Sequence, residues 1–141
     1  MSTPRTRIVN PGELTPPSGY SNGVVASGGA PLYVAGQVGW DREGRIVSDD
    51  FVAQFDQALG NVLSVVTAAG GRADCVTRMR IYVTEIEDYR SRLKEVGAAY
   101  RARMGRHFPA MTLVQVAGLL EPGARVEIEA DAVVPEAPEL P

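Results

Sequence analysis

Near the end of the chain, Glu127, Glu129 and Asp131 alternate with Ile128, Ala130 and Ala132. A period of two marks a strand with one apolar and one polar face, so the carboxylates share a face at roughly 6.7 Å spacing. Like charges so placed repel unless something answers them. One answer is an ion-pair ladder to Arg78 and Arg80, which lie on the polar side of another alternating run. The other is a cleft in which Glu127 anchors a water and takes its proton as general base. Spacing alone favours the ladder. His107 precedes Phe108-Pro109 and reads as a partly exposed loop residue, with an acid–base role as its functional alternative. Cys75 opens a strand without a close basic neighbour, which describes an inert core thiol. No Gly-x-Ser-x-Gly elbow surrounds any hydroxyl, so a serine-hydrolase arrangement is not expected.

The elements that must position these groups follow from periodicity. Arg5 to Tyr20 holds Pro11, Gly12, Pro16, Pro17 and Gly19, which predicts an irregular N-terminal arm over 1–18. Val24–Ala26 and Pro31–Val38 are β-prone runs around Ser27-Gly28-Gly29, a hairpin signal. Gly36 inside the second run marks a bulge or a close approach to the backbone. Asp41-Arg42-Glu43-Gly44 forms a turn after Trp40. Phe51, Phe55, Ala58, Leu59, Val62 and Val66 recur at helical spacing, with Asp49 or Asp50 as cap and Gly70-Gly71 as stop. Cys75 to Val83 alternates as a strand. Tyr89, Leu93, Val96, Tyr100 and Met104 form a second helical stripe, begun by a Thr84–Glu87 capping box and closed by Gly105. Arg90, Lys94 and Arg101 flank that stripe on one side, and Arg92, Arg103 and Arg106 on the other, as basic side chains do when they snorkel beside a buried seam. Thr112–Val116 and Arg125–Val133 are the last strands, with Glu121-Pro122-Gly123 turning between them.

The order is ββαβαββ, a two-layer α+β domain over 19–134 with both helices on one face of the sheet. Two helices cannot cover both faces, so an oligomer is expected. The proline-rich acidic tail over 135–141 is expected to be disordered. A chain of 141 residues, 45% hydrophobic and 22% charged, suits one soluble domain. One cysteine and one histidine exclude a disulfide and essentially exclude a structural zinc site, so no metal is expected. A lone thiol, with no apolar leader or span, points to the cytoplasm. The net charge of −3 speaks against nucleic acid, and nothing suggests a membrane.

The segments themselves resemble a known family. Gly19-Tyr20-Ser21, Leu32-Tyr33-Val34-Ala35-Gly36-Gln37-Val38, Ala58-Leu59-Gly60-Asn61-Val62, Ala68-Ala69-Gly70, Val83-Thr84 with Asp88-Tyr89, His107-Phe108-Pro109-Ala110 and Val126-Glu127-Ile128-Glu129-Ala130 stand in the order and spacing of the RidA (YjgF) family. That resemblance covers about Gly19 to Val133. It implies a chorismate-mutase-like fold and a homotrimer with ligand clefts between subunits. It also implies cofactor-independent hydrolysis of imines and enamines to 2-keto acids and ammonia. Residue by residue, it carries a cleft tyrosine onto Tyr20, a cleft-lining backbone onto Gly36 and a water-associated carboxylate onto Glu127. The family's carboxylate-gripping arginine follows Phe-Pro-Ala; here Met111 stands there and Thr112 follows. Gly97, Arg103 and Met104 replace an asparagine and a Phe-Phe pair on the second helix.

Losing a charge-assisted bidentate bond weakens the grip on a carboxylate by on the order of 1.5–3 kcal/mol, roughly ten- to a hundredfold. The expected activity is therefore a RidA-like deaminase acting on an imine or enamine other than a simple 2-imino acid. Glu127 would be catalytic, and Tyr20, Gly36, Trp40, Met111 and Thr112 would line the cleft. Arg103 and His107 are the candidates to compensate for the missing arginine. The alternative is a non-catalytic trimeric carrier or sensor of a small molecule, which Met111 favours and Glu127 with Tyr20 disfavours. A ribonuclease, a third function attached to the family, fits poorly with the acidic balance and the lack of an RNA-stacking motif.

Overall fold

The computed structural model describes residues 3–137. Part of the expected disordered tail, residues 138–141, lies outside them. The elements are β1 (Arg5–Val9), β2 (Gly23–Ser27), β3 (Ala30–Val38), α1 (Phe51–Ala68), β4 (Val76–Val83), α2 (Ile86–Arg90), α3 (Leu93–Met104), β5 (Ala110–Gln115) and β6 (Val126–Val134), with a 3-10 turn at Ala73–Cys75 before β4. The main sheet runs β3-β6-β4-β5, and β1-β2 form a separate ribbon. β6 is antiparallel to both β3 and β4, whereas β4 and β5 are parallel. The fold is the expected α+β.

Five local expectations are corrected. The N-terminal arm is not wholly irregular, because Arg5–Val9 pairs with Gly23–Ser27 as strand β1. That pairing takes β2 away from β3, so Gly28, at φ 72°, turns the chain between two sheets and not within a hairpin. The last two strands are not neighbours either, since β4 lies between β5 and β6. The second helix is broken into α2 and α3. Ser91 Oγ donates to the Glu87 carbonyl at 2.6 Å, and Glu85, not Thr84, occupies the cap without a side-chain bond. The Ile86 N–H is answered by Gln115 Oε1 at 2.8 Å, so a strand end does what the capping box was expected to do.

The core forms between the helices and one face of the sheet. α1 places Phe51, Phe55, Ala58, Leu59, Val62 and Val66 against Met79, Ile81 and Val83 of β4 and Val126, Ile128, Ala130 and Ala132 of β6. Asp50 caps α1 through the Ala53 N–H at 2.9 Å, and Gly70, at φ 87°, ends it. Truncating Phe55 to alanine would remove about 3–5 kcal/mol of stability. Val126, Ile128, Ala130, Ala132 and Val134 of β6 face the helices, whereas Val133 shares the face of the acids. The opposite face carries Glu127, Glu129 and Asp131 with Arg80, Tyr82 and the exposed Tyr33. That face is therefore mixed, carrying charged and aromatic side chains together with Val114 and Val133.

Candidate functional site

Position along β6 decides what each acid meets. Glu129 and Asp131 lie 3.7 Å and 3.6 Å from the Arg80 guanidinium. Glu129 also accepts the Tyr82 hydroxyl, which raises the phenol above its ordinary value because ionising it would set two anions in contact. Arg80, Glu129 and Asp131 make the ion-pair ladder. Arg78 stands opposite Asp131 in register but forms no ion pair among the described residues. Glu127, opposite Tyr82 and Val38, has no ion pair among the described residues.

Instead, Glu127 reaches over the bare backbone of Gly36. The ladder between β3 and β6 shifts register between Val34 and Gln37, and the resulting bulge carries Gly36 under the acid. A Cβ at position 36 would stand 2.9 Å from Glu127 Cδ and closer still to Oε1. The glycine therefore makes the room that the carboxylate occupies. Both sequence-level readings of Gly36, bulge and close approach, hold. Gly36, Trp40 and Glu127 line a small cavity of about 80 Å³, completed by Val38, Leu120 and Glu121.

Two residues that hold this cavity were missed in the sequence. Gln54 is fully buried, donates from Nε2 to the carbonyls of Ser48 (2.8 Å) and Gly123 (3.0 Å), and accepts the Arg125 N–H at 2.8 Å. It thereby ties α1 to the turn that brings Leu120 and Glu121 to the cavity. Asn61 Nδ2 donates to the carbonyls of Val38 and Trp40 at 3.1 Å and 3.0 Å, fixing the chain on either side of Gly39. The available signal was spacing: Gln54 and Asn61 fall next to Phe55 and Val62 on the buried side of α1, where a polar side chain needs partners.

The second cluster lies on the opposite face of the sheet. Met111 pairs with Met79 in register and, with Leu113, packs against the core. Val96, Tyr100, Phe108 and Met111 line a cavity of about 300 Å³ together with Gly19. Tyr100 stacks on Phe108 with centroids 5.5 Å apart, and its hydroxyl donates to the His107 carbonyl at 2.6 Å. Burial pushes that phenol up, so it stays protonated as a donor. Ser21 donates to the Phe108 and Pro109 carbonyls and bridges to Ala110, which pins the Gly19-Tyr20-Ser21 turn to the start of β5. Tyr20 is 38% exposed beside this cavity and does not line it. Thr112 points to the charged face beside Arg80 and is exposed.

One chain therefore brings Gly36, Trp40 and Glu127 together, and sets Met111 apart from them across the sheet. The proposed compensating residues are placed elsewhere. Arg103 clamps Asp56 at 2.8 Å and 3.1 Å and lies over Gly60, where a Cβ would meet its Cζ at 2.7 Å. It staples α3 to α1. His107 Nε2 lies 2.6 Å from the Val76 carbonyl, which makes Nε2 the protonated nitrogen and ties the ring to the start of β4. Neither residue lines the Met111 cavity or the Glu127 cavity. Among the described residues no group of acidic, histidine and cysteine side chains could hold a metal ion, and no helix is long and apolar enough to cross a membrane.

Comparison with known proteins gives a consistent result. The family profile described as Endoribonuclease L-PSP matches residues 12–134. The chain is 32% identical over 138 residues to human 2-iminobutanoate/2-iminopropanoate deaminase, covering 94% of this chain and 93% of that protein. It is 33% identical over 108 residues to the Salmonella typhimurium protein of the same name, covering 74% of this chain and 80% of that one. In structure it resembles YyfB of the conserved Rid protein family from Yersinia pestis, with a TM-score of 0.82, 32% identity, and coverage of 92% and 98% of the two chains.

Proposed function

The chain belongs to the Endoribonuclease L-PSP (RidA/YjgF) family, and from that premise we propose that it is a hydrolytic deaminase of an imine or enamine carried by a small metabolite other than iminopropanoate or iminobutanoate. The observation that carries this reading is Glu127. Of the acids on its strand face it alone lacks an ion pair among the described residues, and a glycine bulge opens space for its carboxylate. An acid left free in a ladder where its neighbours are neutralised is available to a water.

In the proposed reaction Glu127 accepts a proton from water as the oxygen attacks the C=N carbon. The proton then passes to nitrogen, the carbinolamine C–N bond breaks, and ammonia leaves a carbonyl. The balance is R₂C=NH + H₂O → R₂C=O + NH₃, with water as the co-substrate. Trp40 would form an aromatic wall to the cavity.

Met111 sets the specificity of this reading. At the position where the family resemblance places a carboxylate-gripping arginine, a thioether offers dispersion and no charge. Met111 and Glu127 also lie on opposite faces of one sheet, so a site using both must be composite. A homotrimer would supply it, with the edge strand β5 of one subunit set against the charged face of its neighbour. Exposed Thr112 and Val114 on β5, and Tyr33 beside Asp131 on β3, suit such a contact. Met111 equally suits a carrier or sensor that binds without turnover. The net charge of −3 and the lack of an RNA-stacking motif speak against a ribonuclease.

Turnover of imines generated in situ from a panel of amino acids by an amino-acid oxidase tests the reading. The wild type should accelerate keto-acid release, and Glu127→Gln should lower the rate by about 10²–10⁴-fold. Equal rates for the two proteins would overturn the enzyme in favour of the carrier.

A further inference from the structure

The Met111 cavity is apolar on nearly every side, yet one guanidinium reaches it. Arg101 lines the cavity from α3, four residues after Gly97. A Cβ built on Gly97 would lie 3.1 Å from Arg101 Nη1, 3.8 Å from Cζ and 3.9 Å from Nη2. The guanidinium is therefore folded back along the bare face of Gly97, and the glycine is what lets it lie there. A larger residue at 97 would push it off. Arg101 is exposed and, like Arg78 and Arg106, makes no ion pair or side-chain hydrogen bond among the described residues, but of these three it alone lines this cavity.

We propose that Arg101 is a specificity-determining cation of this cavity, and that its ligand is a carboxylate with a branched or aromatic apolar body. The inference rests on the deaminase reading and gives it a substrate class: 2-imino acids with bulky side chains. The charge sits on the helix side of the cavity, across from the strand side where Met111 stands. A carboxylate held there leaves Tyr100, Phe108, Val96 and Met111 to be filled by the rest of the ligand. About 300 Å³ is the lower end of ordinary ligand pockets, far more than a three- or four-carbon acid occupies. Small acids would therefore meet the arginine and leave the apolar wall wet.

Calorimetric titration of the full chain with phenylpyruvate tests this, with pyruvate and phenylacetone as controls for the apolar body and the carboxylate. Wild type should bind phenylpyruvate more tightly than either control. Arg101→Met should weaken that binding about ten- to a hundredfold, Arg101→Lys should recover part of it, and Gly97→Asn should weaken it by displacing the guanidinium. Unchanged affinity in a folded Arg101→Met protein, or no saturable binding by wild type, would overturn the inference. Hydrolysis of the phenylalanine-derived imine separates the two claims. Binding through Arg101 without turnover leaves this inference standing and defeats the deaminase. Turnover that is lost in Glu127→Gln but indifferent to Arg101→Met does the reverse.

Discussion

Glu127 differs from Glu129 and Asp131 in what answers its charge, and that difference arises from its neighbours across the sheet. Arg80 stands between the other two acids, while Glu127 faces the bulge at Gly36. The contact predicts a selective defect. In Gly36→Ala the new Cβ would meet the end of the Glu127 side chain, which can swing away at little cost to the fold. Imine turnover should fall by about 10²-fold or more while the melting temperature changes little. Full activity in a stable Gly36→Ala protein would show that the carboxylate does not work from this place. The acid triad, the turn at Asp41–Gly44 and the special character of Gly36 were all legible in the sequence. The choice between ladder and water site was not, because spacing along one strand does not say which acid a neighbouring strand's arginine reaches. Arg101 was equally hidden. Helical periodicity placed it with Arg90 and Lys94 on the flank of a buried stripe, and only the space over Gly97 shows which flank residue folds back to the edge of the cavity.

At the scale of elements, the strongly periodic segments form as expected, and the errors fall where tertiary pairing overrides local signals. Ser27-Gly28-Gly29 reads as a hairpin, but β1 competes successfully for β2. The Pro122-Gly123 turn joins strands separated by β4, since β5 takes one edge of β4 and β6 the other. The long second helix breaks near Ser91, and α3 is then anchored at its start by Arg92. That guanidinium reaches Asp50 at the cap of α1 and Glu95 one turn on, each at 2.6 Å. Hydrogen bonds from Arg92 hold both carboxyls below their ordinary values of 3.8 and 4.5. Groups lowered in the folded state contribute stability that is present above those ordinary values and lost as the pH falls through the lowered ones. The melting temperature should therefore decline on acidification below about pH 4.5, and Arg92→Met should flatten part of that decline. Superimposable pH profiles for the two proteins would mean that these exposed bonds are too screened to matter.

At the scale of the whole molecule, one chain holds two separate cavities: a small one beside Glu127 on the charged face, and a roomy apolar one with Met111 on the helix face. A homotrimer that sets one against the other would make them a single cleft. Light scattering at micromolar concentration should give three times the 15.1 kDa chain mass, and a monomer would refute the composite site. Family membership was legible over nearly the whole domain because the matching segments keep their order and spacing. The placement of Glu127 and Met111 on opposite faces was not, because strand order β3-β6-β4-β5 is a property of pairing that the order of segments along the chain does not specify. In the proposed reaction Glu127 handles the water, and Met111 withholds the small imino acids. Iminobutyrate generated in situ by a threonine dehydratase tests this most directly, with wild type, Met111→Arg and Met111→Arg with Glu127→Gln compared side by side. The wild type should release keto acid slowly. Met111→Arg should gain on the order of 1.5–3 kcal/mol in transition-state binding, roughly ten- to a hundredfold in rate, and the double variant should lose that gain. A trimeric Met111→Arg protein that stays at the wild-type rate, or a double variant that keeps the gain, would contradict the account.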